Sequence, residues 1–147
     1  ADVAEASDGA IESIMSASRV ILPPADPIRS IGPILAISAI RDALVRRKSD
    51  VVAVSPVIGS QSMAGLGDGM ERLMRVTGTE TISALAICDR YKNFLNQLVI
   101  HTSDLSILEA VRGHGIDVWV ENIVISNLED AVRLAGRITN EERSIKR

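Results

Sequence analysis

The sequence predicts an α/β domain with a Rossmann-like, doubly wound and mainly parallel sheet, layered between helices on both faces. Short apolar segments rich in β-branched residues alternate with longer segments whose apolar residues repeat at helical spacing. Hydrophobic residues make up 46% of the 147 residues and aromatic residues only 2%, so the core is aliphatic, as is typical of helices packed on a parallel sheet. This length supports one domain, which we assign to residues 1–139, followed by a charged tail at residues 140–147.

The first predicted elements are a helix over residues 8–17 and a buried strand over Arg19–Leu22. Apolar residues of the first segment have helical spacing, and Ser7 or Asp8 stands where a cap is needed. Three prolines in the segment Pro23–Pro27 end the strand. The pattern therefore predicts a rigid turn directly after that strand.

The next predicted helix, Ile31–Arg47, points its N-terminus towards the end of the sheet where the strand stops. Ser30 stands at the N-cap and Pro33 lies in the first turn. Free backbone N–H groups and the macrodipole attract anions at such a position, and Gly32 lets a ligand approach the backbone. Asp26 and Ser30 offer side-chain oxygens that could bind a ribose hydroxyl or a phosphate. The Asp26 carboxylate could also bind a metal-bound water. Both residue types are equally typical of turns and caps.

A second unusual loop follows the predicted strand Val51–Val54. This loop, residues 55–69, is rich in Gly and Ser and is too long for a simple connection, which is typical of functional segments. Ser55 offers a hydroxyl, and Gly59 offers exposed backbone N–H groups, as in loops that bind phosphate. No Walker motif follows, however. The predicted nucleotide or phosphate contacts are Asp26, Ser30, Gly32, Ser55 and Gly59. The sequence assigns no catalytic residue and no metal ligand.

Alternating elements continue towards the C-terminus and complete a sheet of about four parallel strands. The remaining predicted elements are helices over residues 70–76, 83–94, 103–112 and 127–138, with Ser83 and Asn127 as caps, and strands Gln97–Ile100 and Asp117–Val120. The loops that follow parallel strands open on one edge, where open α/β sheets bind ligands. His101 would stand on this edge as a candidate acid or base without an evident partner.

Composition and charge argue against several classes of function. A net charge of -3 and a sequence pI of about 5.4 provide no field that would gather nucleic acid. The sequence contains neither a run of about 18 apolar residues nor a visible signal peptide, so we expect no membrane association. The lone cysteine, Cys88, excludes an internal disulfide and is expected to be buried and inert, which fits a cytoplasmic location. The sequence begins at Ala1 rather than Met, which suggests a fragment or a processed chain.

Several short motifs stand out once the elements are assigned. The most specific is Ser30–Ala36, preceded by Pro24–Pro27 and followed by Val52–Gly59. Further motifs follow in order: Ser83–Leu85, Tyr91 with Phe94–Leu95, Val99–Ile100, Leu128–Asp130 and Arg133–Ala135. Together they cover nearly the whole chain. The combination resembles the carboxyl-terminal half of the 2-phospho-L-lactate transferase family of coenzyme F-420 biosynthesis.

The resemblance implies transfer of a phospholactyl or phosphoenolpyruvyl group from a guanosine diphosphate-linked donor to the deazaflavin precursor Fo, with release of GMP and with Mg²⁺ present. Such chemistry depends on positioning and on neutralising charge at the phosphates. The family usually has Gly-Pro-Ser-Asn-Pro where this chain has Pro23–Pro27, so a carboxylate at Asp26 replaces an amide. An Asp-Thr pair is also usual where the chain has Glu121 and Asn122.

The family's amino-terminal Gly-rich loop, and the acidic residues thought to hold the metal and Fo, have no counterpart in this sequence. We therefore expect the chain to supply only part of the site, with the metal ligands elsewhere, and to act as a homo-oligomer or with a missing amino-terminal half. Two other functions stay open. A related family of gluconeogenesis regulators suggests a non-catalytic protein that binds a nucleotide or nucleotide sugar. The chain could also be a structural half-domain whose exposed sheet edge pairs with another chain.

Overall fold

A parallel sheet lies at the centre of the computed structural model, which describes residues 4–63, 65–66 and 68–139. The strands are β1 Val20–Leu22, β2 Val51–Val54, β3 Val57–Ile58, β4 Gln61–Ser62, β5 Gln97–His101 and β6 Asp117–Glu121. The helices are α1 Asp8–Ser16, α2 Ile31–Ala36, α3 Ser38–Arg46, α4 Asp68–Val76, α5 Ala84–Tyr91, α6 Leu108–Arg112 and α7 Leu128–Thr139. The predicted tail, residues 140–147, lies outside the described residues.

The four main strands pair in the order β1, β2, β5, β6, and every pair is parallel. Because this order follows the chain, right-handed crossovers place the connecting helices on the same face of the sheet. Val51 and Ala53 pack on that first face with residues of α3, α4, α5 and α6. Val52 and Val54 point the other way and pack against α7. Helices therefore cover both faces, which confirms the predicted α/β architecture.

The helix predicted over residues 31–47 is wrong in one respect, because the chain forms two helices instead of one. Ile37 adopts an extended conformation between α2 and α3, with φ -75° and ψ 108°. The Arg41 guanidinium donates to the Leu35 carbonyl at 3.2 Å, which satisfies a group that the break exposes. The apolar period continues across the break, so periodicity alone does not reveal it.

Other boundaries differ from the prediction by a few residues. The strand predicted from Arg19 begins at Val20, and the helix predicted to reach Phe94 ends at Tyr91. The helix predicted from residue 70 begins at Asp68, and residues 102–107 form a 3-10 turn before α6. The long Gly/Ser-rich loop contains the β3–β4 hairpin.

Three predicted helix caps are confirmed. Ser7 Oγ accepts from the Ala10 N–H and Ser83 Oγ from the Ala86 N–H, each at 3.3 Å. Asn127 Oδ1 accepts from the Asp130 N–H at 2.9 Å. These side chains satisfy backbone donors that an uncapped helix would leave open.

Cys88 lies in the core of the first face with 0% of its surface exposed, as predicted. Burial, with the neighbouring Asp89 charge, raises the pKa of its thiol to about 11. The thiol is therefore uncharged at neutral pH and behaves as a small apolar side chain. Among the described residues, no helix has both the length and the apolar character needed to cross a bilayer.

Candidate functional site

The site predicted from the sequence lies where the parallel strands end, which we call the carboxyl edge. β1 and β2 are neighbours, with Leu22 opposite Ala53. The Asp26 turn (residues 23–30) and the hairpin segment (residues 55–63) therefore leave the sheet side by side. His101 and Glu121 end β5 and β6 on the same edge. The structure thus places on one edge the two loops that carry Asp26, Ser30, Ser55 and Gly59, while Gly32 lies in the first turn of α2.

Asp26 is buried and is fully engaged within its own turn. Its side chain is 4% exposed, and Oδ1 accepts from the backbone N–H groups of Ile28 at 2.8 Å and Arg29 at 2.9 Å. Its Oδ2 accepts from Arg29 Nε at 2.6 Å. Burial raises the pKa of this carboxyl, but the Arg29 and Ile28 donors outweigh burial and hold the pKa below its usual 3.8. Asp26 is therefore an ionised capping residue.

Ser30 does not cap α2, contrary to the prediction. Its backbone is already helical, with φ -105° and ψ -58°, whereas a capping residue is extended, and its side chain makes no capping hydrogen bond. The Asp26 carbonyl accepts from the N–H groups of Ser30 at 3.1 Å and Ile31 at 3.0 Å. The turn therefore begins at Asp26, with Pro27 in its first position, and Ser30 is exposed and makes no side-chain capping hydrogen bond.

Gly32 allows a close approach of backbone to backbone. A Cβ atom at this position would lie 3.1 Å from the Pro27 carbonyl oxygen, which is tighter than ordinary contact. Gly32 also lines an open cavity of about 450 Å³ beside Arg41, Asp42 and Arg90. Glycine is therefore explained at this position by packing of the turn against α2, and its predicted contact with a ligand stays a prediction.

Ser55 and Gly59 shape the hairpin segment. Ser55 is 0% exposed, and its hydroxyl donates to the Val57 carbonyl at 2.8 Å while it accepts from the Val57 N–H at 3.1 Å. Gly59 has φ +62° at the first central position of a two-residue hairpin turn, where glycine is favoured. Its N–H donates to Asp104 Oδ1 at 2.9 Å, so the expectation of a free N–H group at Gly59 is wrong.

Asp104 is a buried polar residue of this edge, where the sequence predicts only the start of a helix. It is 4% exposed, and Oδ2 is buried without a hydrogen-bond partner among the described residues. Burial raises the pKa of the Asp104 carboxyl, and the Gly59 N–H and the nearby His101 only partly offset it. Asp104 joins the loop after β5 to the hairpin across 45 positions of sequence, a contact that no local motif indicates.

His101 and Glu121, at the ends of β5 and β6, are also engaged locally. His101 Nδ1 accepts from the Ser103 N–H at 3.2 Å and lies 2.7 Å from Ser103 Oγ. Glu121 pairs with Arg133 at 3.1 Å and with Arg137 at 3.0 Å. Burial raises the pKa of Glu121, but these arginines and the Asn122 N–H outweigh it and hold the pKa below its usual value. Both side chains anchor the edge to the elements that follow it.

The family resemblance implies a magnesium ion whose ligands are expected outside this chain. Among the described residues, no group of three or more His, Cys, Asp or Glu side chains could hold a metal ion. The candidate carboxylate at Asp26 already accepts three hydrogen bonds, and its side chain is almost completely buried. Magnesium prefers open carboxylate oxygens together with water and phosphate oxygens. In this arrangement the Asp26 carboxylate is therefore not available as a magnesium ligand.

Comparison with known proteins gives a consistent result. A family model described as 2-phospho-L-lactate transferase CofD matches residues 1–134. Proteins named 2-phospho-L-lactate transferase from Methanocaldococcus jannaschii and Methanococcus maripaludis are 34% and 33% identical over 92% and 96% of the chain. A protein named phosphoenolpyruvate transferase from Kitasatospora aureofaciens is 27% identical over 92% of the chain. The matches span 40%, 43% and 41% of these three proteins, so the chain corresponds to less than half of each relative.

Proposed function

The chain belongs to the 2-phospho-L-lactate transferase CofD family, and from this premise we propose that it forms the nucleotide side of a transferase site. The proposed reaction moves a phospholactyl or phosphoenolpyruvyl group from a guanosine diphosphate-linked donor to a hydroxyl of the deazaflavin precursor Fo. The new bond joins the transferred phosphorus to the Fo oxygen, and the bond to the departing phosphate of GMP breaks. The proton of the attacking hydroxyl leaves with the products.

One observation carries the proposal: the family match covers almost the whole chain, and its two loop motifs lie side by side on the carboxyl edge. Ligands of open α/β sheets bind outside that edge. In this proposal the exposed Ser30 hydroxyl donates to a phosphate oxygen, while Asp26 and Gly32 hold the turn that presents it. Ser55 and Gly59 hold the hairpin segment as the neighbouring wall. Positioned donors of this kind are what phosphoryl transfer needs from a protein.

The remainder of the proposed site lies outside the described residues. More than half the length of each relative has no counterpart in this chain, which supports a site completed by further sequence or by a second copy. Among the described residues, β1 is an edge strand of the sheet, and its Ile21 is 40% exposed, which also favours a further element beside it. We propose that this missing wall carries the Fo contacts and the Mg²⁺ ligands.

The names of the relatives support two versions of the donor. The more similar relatives are named for 2-phospho-L-lactate, and others are named for phosphoenolpyruvate. Both groups are small acids attached through phosphate, so the same nucleotide wall serves either. A cytoplasmic location belongs to this proposal and is supported by the buried free thiol of Cys88.

The test combines calorimetry and turnover with the intact protein. We expect GDP to bind in the presence of Mg²⁺, and the protein to form phospholactylated or phosphoenolpyruvylated Fo from the matching donor. Ser30→Ala should weaken GDP binding by about 10-fold to 150-fold, the effect of losing one hydrogen bond to a charged group, about 1.5–3 kcal/mol. Ser18→Ala, an exposed serine before β1 at the opposite edge, is the matched control and should bind as the parent protein does.

The outcomes separate the candidate functions. Absence of both GDP binding and turnover would overturn the proposal. Tight binding of a nucleotide or nucleotide sugar, with no turnover of Fo by the intact protein, would instead favour a non-catalytic regulator. Equal GDP affinity of the Ser30→Ala and Ser18→Ala variants would remove Ser30 from the site while leaving the transferase assignment standing.

A further inference from the structure

Arg29 connects the Asp26 turn to the segment that leads into α4. Its Nε donates to Asp26 Oδ2 at 2.6 Å, and its Nη2 donates to the Leu66 carbonyl at 3.2 Å. The side chain is 53% exposed, so its position is not imposed by burial. The planar guanidinium group is instead fixed by hydrogen bonds at two of its nitrogens.

Gly69, the second residue of α4, lies against this guanidinium group. A Cβ atom at Gly69 would lie 3.2 Å from Arg29 Nη1 and 3.4 Å from Arg29 Cζ and Nη2. Gly69 is not among the glycines with positive φ, so its backbone conformation suits any residue. An alanine here would ordinarily stabilise the helix. Glycine at this position is therefore explained by the close approach of Arg29.

The contact extends from α4 to the hairpin segment. Glu71 Oε1, on the first turn of α4, accepts from the Ser62 N–H of β4 at 2.8 Å. The Leu66 N–H donates to the Met63 carbonyl at 3.2 Å. A continuous set of contacts thus runs from the buried Asp26 carboxylate through Arg29 to α4 and back to the hairpin.

We propose that Arg29 is a positioning residue of the nucleotide site, which holds the Asp26 turn and the hairpin segment in one fixed arrangement. The proposal rests on the proposed function for the identity of the ligand. Lysine would keep the positive charge but has a single nitrogen, so it cannot bond Asp26 and the Leu66 carbonyl in the same planar geometry. The arrangement therefore depends on the guanidinium group and on the absence of a side chain at residue 69.

A double-mutant cycle tests the structural half of this proposal without any ligand. Gly69→Ala should raise the midpoint of urea denaturation less in the parent protein than in a variant without Arg29, because in the parent the guanidinium group must shift to admit the new methyl group. In an Arg29→Ala background the same change should raise the midpoint, since the helix then gains alanine without a clash. Gly9→Ala in α1, where a Cβ meets no atom within 4 Å, is the control and should have the same effect in both backgrounds. An equal effect of Gly69→Ala in both backgrounds would overturn the contact.

Ligand binding by the intact protein tests whether Arg29 positions the nucleotide site. Arg29→Lys should fold with a midpoint close to that of the parent protein but bind GDP about tenfold more weakly, and the KM for the donor should rise more than kcat falls. Arg112→Ala, which removes a similarly exposed arginine paired with Glu109 at the end of α6, should leave GDP affinity unchanged. Parental GDP affinity in Arg29→Lys would overturn the positioning role. If the parent protein neither binds GDP nor turns over Fo, the proposed function fails, and the cycle alone then decides whether Arg29 holds the two segments together.

Discussion

Replacement of Asp26 should reveal how much the turn after β1 depends on one buried carboxylate. Asp26→Ala removes the acceptor for two backbone N–H groups, at 2.8 and 2.9 Å, and for Arg29 Nε. Loss of a cap, which strands the N–H groups that it binds, costs about 1–2 kcal/mol. The ion pair adds about 0–1 kcal/mol, because Arg29 is half exposed. We therefore expect Asp26→Ala to lower the free energy of unfolding by about 1–3 kcal/mol.

Asp26→Asn separates capping from charge. Its amide oxygen can still accept from the Ile28 and Arg29 N–H groups, and only the guanidinium contact is lost. We expect a loss of about 1 kcal/mol or less, measured by urea denaturation at pH 7. Equal losses for the alanine and asparagine variants, or no loss for alanine, would refute the assignment of Asp26 as the cap.

The same pair of variants has a defined pH dependence. The folded pKa of Asp26 lies below its usual 3.8, so the contribution of its charge to stability is complete above about pH 4 and is lost as pH falls towards the folded pKa. The difference in stability between the parent protein and Asp26→Asn should therefore shrink below about pH 4. A difference that stays constant between pH 7 and pH 3 would contradict the lowered pKa.

Three further variants test other parts of the structure. The pKa of Asp104 is raised in the folded state, so ionising this carboxyl as pH rises above about 4 lowers the free energy of unfolding of the parent protein. Asp104→Asn cannot ionise and should therefore gain stability relative to the parent protein between pH 4 and pH 7, measured by urea denaturation. A difference that stays constant over this range would contradict the raised pKa. Leu134 of α7 packs against Val52 and Val54, so Leu134→Ala should lower the free energy of unfolding by about 2–5 kcal/mol. Val132 on the same helix is 63% exposed, and Val132→Ala should change thermal stability little. Similar losses for both variants would show that α7 does not pack on the sheet through Leu134. Gly59→Ala should cost about 1–2 kcal/mol because φ is +62°, and full parental stability would argue against this hairpin turn.

The strands and their parallel arrangement are the part of the fold that the sequence predicts best. β1 and β2 are short β-branched segments that end at prolines or a Gly/Ser-rich loop, and these signals are local. Caps such as Ser83 are predicted for the same reason, since a cap and the N–H group it binds lie within one turn. Alternation of strands with helices then implies a parallel sheet and a single carboxyl edge.

The details of the site were less predictable because they depend on backbone geometry and distant contacts. Asp26 and Ser30 both fit the pattern of a cap, and only the backbone at Ser30, which is already helical, assigns the cap to Asp26. The Asp104 contact with Gly59 joins two loops that lie far apart in the chain. No periodicity or local motif encodes such contacts, since they arise only when neighbouring strands bring their loops together.

We propose that the carboxyl edge of this sheet binds a guanine nucleotide, and amide chemical shifts of the intact protein report such binding residue by residue. Titration with GDP should move the amide signals of the Asp26 turn and of the hairpin segment, while signals of Gly113 and Gly115, before β6 at the opposite edge, stay in place. A titration that moves no signals, or that moves signals mainly at that opposite edge, would contradict the claim.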